Sequence, residues 1–345
     1  MLKIELTNGA GGVNELNYIT KNPNTLVYSN PRFIRLVEDH LKAKSKWLTG
    51  RRGGNVVGMM PYIISEGVYG PVFNSLAYFG SNGGVIQHSN DVEAKASIID
   101  TFFKEAAAAK AAAATVISNP LESDYKFYEN AIDGYMVDKR IGQITHLPPI
   151  EDEEGLIRHF QDPRPRNIRR AIREGVVVVK QRDEDAISFL YETHLSNMTA
   201  IGGLPKSKSF FTSIPEHMNE DEWAIFVANR EGKPIAALLV FYFNNTVEYF
   251  TPVILEKYRN TQALALIIYI AMKDAIHHGY KNWNWGGTWL SQGGVYNFKK
   301  RWGTSEYNYF YYTKLYNEEI LNCTPSVLLQ NYPGFFVVPY KYLKS

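Results

Sequence analysis

Apolar positions recur with two different periods along this chain. Over Pro31 to Lys46, Phe33, Ile34, Leu36, Val37 and Leu41 fall on one side at helical spacing, which predicts an amphipathic helix. Trp47–Gly50 and Val56–Ile64 read as strands, and Arg51-Arg52-Gly53-Gly54-Asn55 between them reads as a hairpin turn. Glu93 to Ala114 is rich in alanine and predicts one long helix whose small side chains pack closely on a sheet. A buried strand follows at Thr115–Ser118.

The second half repeats this order. Asp185–Thr199 predicts a helix and Trp223–Ala228 a strand. Lys233–Phe243 and Thr246–Thr251 form a hairpin around Asn244-Asn245, Thr261–His278 a long helix, and Asn282–Trp285 a strand. Helix, hairpin, long helix and strand thus occur twice, which predicts two related α/β domains. Pro148-Pro149 and the acidic run Glu151–Glu154 read as their connection, dividing the chain into 1–148 and 149–345. The aromatic tail Phe335–Tyr342 reads as strand-like, able to close the second sheet or pair with a partner.

The length agrees, since 345 residues exceed what one hydrophobic core usually serves. Apolar residues at 45% and charged residues at 21% describe a globular chain rather than a disordered one. With a formal net charge of +2, any attraction to phosphates must come from local patches. The single cysteine, Cys323, excludes an internal disulfide framework and a thiolate zinc site, and fits a reducing compartment. Met1–Gly12 lacks the basic-then-apolar order of a signal peptide. Leu264–Met272 is far short of the roughly 20 apolar residues that span a bilayer. A cytoplasmic protein without a membrane span is expected.

Two segments carry candidate chemistry. In Arg164-Pro-Arg-Asn-Ile-Arg-Arg-Ala-Ile-Arg-Glu-Gly-Val, Pro165 suits a first helical turn and Gly175 a helix stop. Arg166, Arg169, Arg170 and Arg173 then share one flank, and guanidinium forks bind phosphate oxygens in pairs. A diphosphate or an RNA backbone suits that flank, and so does plain solvent. The second segment runs from Trp285 through Gly286-Gly287 and Gly293-Gly294 to Lys299-Lys300-Arg301-Trp302-Gly303. Glycine pairs after a strand let backbone approach a ligand, and a fixed cation there stabilises the oxyanion formed when an amine attacks an ester or thioester. The histidines show no metal-ligand spacing, so no catalytic metal is expected. Neither a Gly-x-Ser-x-Gly elbow nor a P-loop is present, which argues against serine hydrolysis and ATP-driven ligation.

Phe298-Lys299-x-x-Trp302-Gly303 resembles the "FKxxFG" signature of FemABX-type aminoacyl transferases and their GNAT-like relatives. Arg166-Asn-Ile-Arg-Arg-Ala-Ile-Arg-Glu-Gly-Val resembles their mid-chain "R-N-I-R-K-A-x-K-x-G-V" segment. Val57-Gly-Met-Met-Pro61, Ser75-Leu76 and Gly83-Gly84 are similar to the pattern of their first domain. The resemblance implies two tandem GNAT-like domains, each a mixed, mainly antiparallel sheet flanked by helices, with an acceptor groove between them. It further implies transfer of an acyl or aminoacyl group onto an amine of a peptidoglycan precursor or related cell-envelope molecule. Lys299 matches the family lysine at the reaction centre, and the arginines from Arg166 to Arg173 match a region that holds the acceptor's phosphates. Gly286, Gly287, Phe298 and Trp302 join them as substrate-contacting candidates. Trp302 stands where the family has a smaller aromatic, and Asn284 where relatives often have an acid. The coiled-coil arm of some aminoacyl transferases is not visible.

Glu248 lies on a predicted central strand, where GNAT folds often place a base. It is the candidate that deprotonates the attacking amine, against the plainer reading of an exposed or paired strand acid. Tyr249 and Tyr296 are further candidates as proton relays. Aminoacyl-tRNA is read as the donor ahead of acyl-CoA, neither of them a tightly bound cofactor. Arg259-Asn260-Thr261-Gln262-Ala263-Leu264 keeps the arginine of the usual acyl-CoA loop and lacks both of its small residues. Two further readings predict different ligand behaviour: an acetyl-CoA-dependent enzyme acting on a small amine such as an amino sugar, and a noncatalytic module binding a nucleotide sugar or RNA.

Overall fold

The computed structural model describes residues 1–76, 78, 83–289 and 292–344. Contacts divide the chain into two units, Met1–Ile141 together with Tyr307–Ser345, and Gly142–Glu306. In the first unit the chain runs through β1 (Leu2–Asn8), α1 (Val13–Ile19), α2 (Pro31–Leu41), β2 (Lys44–Arg52) and β3 (Asn55–Ser65). β4 (Val72–Asn74), α3 (Val92–Ala108), β5 (Ala113–Ile117) and α4 (Tyr125–Ala131) follow. β6 (Met136–His146) carries the chain into the second unit.

There the order is α5 (Arg164–Arg173), β7 (Val177–Gln181), α6 (Glu184–Ala200), α7 (Lys208–Thr212), α8 (Ile214–His217) and β8 (Trp223–Arg230). β9 (Lys233–Phe243), β10 (Thr246–Ile254), α9 (Ala263–His277), β11 (Asn282–Trp289) and α10 (Gly293–Lys300) complete it. β12 (Thr304–Leu315) returns to the first unit, which ends with α11 (Pro325–Asn331).

Each unit has one described parallel pair, and the pair explains the repeated order of elements. In the first unit the strands lie β1-β2-β3-β4-β5-β12, with β4 and β5 parallel and α3 crossing between them. In the second they lie β6-β11-β10-β9-β8-β7, with β10 and β11 parallel across α9. Parallel neighbours need a crossover, and a long helix supplies it while covering one face of the sheet. α3 buries Ile98, Ile99, Phe102 and Phe103 against Leu48, Met60, Tyr62 and Phe73. α9 buries Leu266, Ile267, Ile268 and Met272 with Phe226, Leu238, Val247 and Trp283.

Several boundaries differ from those predicted. The alanine run is split: α3 ends at Ala108, Lys110 takes a left-handed turn at φ +52°, and Ala113–Ile117 is β5. Ala113 and Ala114 are fully buried and pair with Leu315 and Lys314 of β12, so sheet burial overrides their helix propensity. α2 stops at Leu41, where Lys42 turns left-handed at φ +54°, and β2 begins at Lys44. The tail Phe335–Tyr342 forms no strand. Instead Asn74 Nδ2 donates to the Phe336 carbonyl at 2.8 Å, and Phe336 N–H donates to Asn74 Oδ1 at 2.9 Å. One asparagine side chain thereby does the pairing that a strand backbone would do. That contact and β12 bring 307–345 into the first unit, whereas a cut at 148/149 assigns them to the second domain.

The turn after α10 is fixed by Gly303, which has φ +72° and lies where a Cβ would sit 2.6 Å from the His159 carbonyl oxygen. Gly303→Ala combines left-handed strain with that clash and is expected to cost about 3 kcal/mol. Urea unfolding checks it, and an unchanged midpoint refutes the close approach.

Candidate active site

β10 and β11 pair through Thr246↔Asn282, Val247↔Trp283 and Glu248↔Asn284. Successive side chains alternate faces, so Val247 and Tyr249 pack in the α9-side core while Glu248 points the other way. Glu248 is 1% exposed, a carboxyl buried in the middle of the sheet. Asn284 Nδ2 donates to Glu248 Oε1 at 3.0 Å, and the Gly286 N–H donates to Asn284 Oδ1 at 3.0 Å. Gly286 has φ +70° with open space where a Cβ would stand, so backbone conformation, not crowding, requires glycine here.

Lys299, on α10, reaches the far side of the same turn. Its Nζ donates to the Gly286 carbonyl at 3.3 Å, the Gly287 carbonyl at 3.2 Å and Thr288 Oγ1 at 2.9 Å. An ammonium has three protons, and these acceptors take them all. Thr288 in turn donates to Gln143 Oε1 at 3.1 Å, and Gln143 Nε2 donates to the Tyr296 carbonyl at 3.1 Å. Burial lowers the Lys299 pKa to about 8. Neutral acceptors only partly replace the water that a lysine loses on burial, so the charged form is disfavoured.

A second cation lies on α5. Arg164 is 8% exposed, stacked over Phe298 at 4.4 Å and Trp302 at 5.1 Å, and its Nη2 donates to the Phe298 carbonyl at 3.0 Å. Its Nε–H has no partner among the described residues. Burial first, then the nearby Arg301 charge, lowers its pKa to about 10. Arg164 lines a pocket of about 150 Å³ with Arg259, Gln262, Leu264, Phe298 and Trp302. The start of α9 forms one wall, so the positive end of its helix dipole adds positive potential. Gln262 there adopts the left-handed conformation, φ +63°, that a glycine favours, so the backbone turn persists although the small residue is missing.

The structure separates the predicted arginines. Arg166, Arg170 and Arg173 line an open concavity of about 420 Å³ with Asn167 and Glu174, while Arg169 is exposed outside that lining. None of the four forms an ion pair among the described residues, and Glu174 pairs with Arg230 at 3.2 Å. Tyr296 is engaged elsewhere: its hydroxyl bonds the Glu306 carboxylate and accepts from Lys300 Nζ at 3.1 Å. Tyr249 packs 4.8 Å from Trp285, and burial raises its pKa. Trp302 is fully buried, stacked on Trp285 at 5.7 Å and edge-on to Phe160 at 4.9 Å, so its larger ring serves packing. Leu290 and Ser291 of the glycine-rich string lie outside the described residues.

Sequence reading missed Arg164, Asn284, Thr288 and Gln143 as parts of this site. Arg164 was visible only as the start of the arginine segment, and nothing local marks Gln143, 156 positions from Lys299 in the chain (299 − 143). Among the described residues no group of three His, Cys, Asp or Glu is placed to hold a metal ion. No helix among them is long and apolar enough to cross a membrane.

Residues 164–300 match the family model described as an acetyltransferase (GNAT) domain, so the match and the fold mark the second unit as of acyltransferase class. The match opens at Arg164 and ends beside Lys299. The chain is similar to the crystal structure of FemX, with a TM-score of 0.71 and 15% identity over 92% of this chain and 98% of that one. It is also similar to a tandem GNAT protein from the clavulanic acid biosynthesis pathway (TM-score 0.56, 12% identity, 91% and 99% covered). L-PGS from Bacillus licheniformis is a third (TM-score 0.51, 12% identity, 83% and 91% covered). No curated protein matches the chain in sequence. These likenesses establish a tandem GNAT-like fold.

Proposed function

We propose that this protein is an N-acyltransferase that moves an acyl or aminoacyl group from a phosphate-bearing carrier onto an amine. The observation that carries the reading is the pocket at the start of α9, which Arg164 and Arg259 both line. Two guanidinium groups on one cavity repel each other unless an anion lies between them. A diphosphate meets that need, and the helix start adds to it.

The reacting carbonyl then lies near the Gly286-Gly287 pair of β11. There the amine attacks, Glu248 accepts its proton, and the fixed Lys299 charge stabilises the developing oxyanion. Collapse of that oxyanion breaks the carbonyl carbon's bond to the carrier, which leaves as a thiol or alcohol and takes up the amine's proton. Because the three Lys299 protons are already held by Gly286, Gly287 and Thr288, its help comes through charge and through the turn it anchors. Acyl-CoA is the first reading for the donor, since the left-handed turn at Gln262 is retained. Aminoacyl-tRNA is the second, favoured by the unpaired Arg166, Arg170 and Arg173 on the same helix as Arg164, which extend positive charge beyond one diphosphate. The acceptor is an amine of a cell-envelope precursor or an amino sugar.

Melting temperature measured with CoA, acetyl-CoA, charged tRNA and UDP-linked amino sugars, singly and in pairs, tests the reading. A ligand that binds only the folded state at 100 times its Kd adds about 2.7 kcal/mol. A shift with acetyl-CoA assigns the donor to acyl-CoA, and a shift with tRNA alone assigns it to aminoacyl-tRNA. If no phosphate-bearing donor shifts the transition, the reading fails. Arg164→Gln removes the stacked charge and is expected to weaken donor binding about 10- to 100-fold, as for a hydrogen bond to a charged group. Isothermal titration checks this.

A further inference from the structure

We infer that Asn284 is a positioning residue that couples the Glu248 carboxylate to the glycine turn held by Lys299. Asn284 is fully buried and stands opposite Glu248 in the parallel register. Both ends of its amide are used: Nδ2 donates to Glu248 Oε1 at 3.0 Å, and Oδ1 accepts from the Gly286 N–H at 3.0 Å. The Gly286 carbonyl then accepts from Lys299 Nζ at 3.3 Å. Hydrogen bonds therefore tie the carboxylate to the Asn284 amide and the amide to the peptide group before the Gly286 Cα. The ammonium holds the peptide group after it.

The chemistry of the two groups being joined selects this side chain. An ionised carboxylate only accepts and a backbone N–H only donates, so a bridge must offer a donor to one and an acceptor to the other. Asparagine does both. Its amide cannot flip without setting oxygen against carboxylate oxygen and NH2 against N–H. Aspartate at this position would keep the acceptor for Gly286, lose the donor for Glu248, and place a second carboxyl beside the first. Like charges at that distance hold one of the two protonated. The amide thus orients Glu248 without adding a charge that would disable it as a base. The bearing on catalysis rests on the acyl-transfer reading, whereas the coupling itself is measured without turnover.

The test uses Asn284→Ala and Asn284→Asp in the full chain, read by hydrogen exchange of the Gly286 amide and by NMR titration of the Glu248 carboxyl. Asn284→Ala is expected to speed exchange at Gly286 at least about tenfold, because its acceptor is gone. Asn284→Asp is expected to retain that protection while moving the Glu248 midpoint upward by about one pH unit or more. The acidic limb of the turnover profile should move the same way. Unchanged exchange in the alanine variant with an unmoved Glu248 midpoint in the aspartate variant overturns the inference, leaving Asn284 as a space-filling strand residue. Should the alanine variant not fold, the Glu248 midpoint in Asn284→Asp decides alone. If both NMR readouts behave as expected and no donor is turned over, the coupling stands and the acyl-transfer reading falls.

Discussion

Lys299→Met lowers turnover at pH 7 by about 100- to 1,000-fold, because both the fixed charge near the developing oxyanion and the anchor of the Gly286-Gly287 backbone are lost. Methionine fills similar volume but presents no donor, so the Gly286 and Gly287 carbonyls and Thr288 lose a shared partner. Donor binding is expected to survive, because the phosphate pocket is built from Arg164, Arg259 and the start of α9. Steady-state kinetics with titration of the donor separates the two, and full turnover in this variant removes Lys299 from the mechanism.

The lowered Lys299 pKa adds a pH signature. With a folded value of about 8 against an ordinary 10.5, turnover should decline above about pH 8 as the ammonium is lost. Stability moves the other way. Between those two values the unfolded chain holds more protons on this group than the folded one, so stability rises with pH through the window. Lys206, whose pKa burial also lowers to about 8, contributes with the same sign. Urea midpoints across that window should therefore climb less steeply in Lys299→Met than in the parent.

Glu248→Gln is the second large effect. The amide keeps an oxygen for Asn284 Nδ2 and nearly the same shape, so the fold should persist. It cannot take a proton, and turnover at pH 7 is expected to fall about 100- to 10,000-fold, the usual worth of a positioned base. The distinguishing measurement is the pH–rate profile, whose acidic limb should flatten. An unchanged profile assigns proton removal to another group and leaves Glu248 as a buried strand residue.

The two variants probe opposite sides of one turn, and the sequence foreshadowed them unequally. Lys299 and the glycine pairs were legible because they stand in one short stretch of sequence that holds both a cation and, at Gly286, backbone that glycine adopts easily. Glu248 stood out less, as one acid in an apolar strand. Asn284 was legible only as a departure from the acid of similar proteins, and its role emerged once the parallel register set it opposite Glu248.

Hydrophobic periodicity alone determined the repeated helix, hairpin, long helix and strand, since it reports which face of each element is buried. Pro165 and Gly175 placed the arginine helix, and the glycine pairs marked the segment that carries Lys299. Tertiary structure decided where the alanine run stops being helix, because alanine suits both a packed helix and a buried strand, and only the neighbours β4 and β12 choose between them. It decided that 307–345 belong with the first unit, through contacts such as Asn74 to Phe336 that join positions 262 residues apart. It also set Arg164 apart from Arg166, burying one guanidinium against Phe298 and Trp302 and leaving the other exposed. Burial and partnership between distant residues are properties of the packed chain. A local pattern carries which side chains are available, and the packing decides which of them meet.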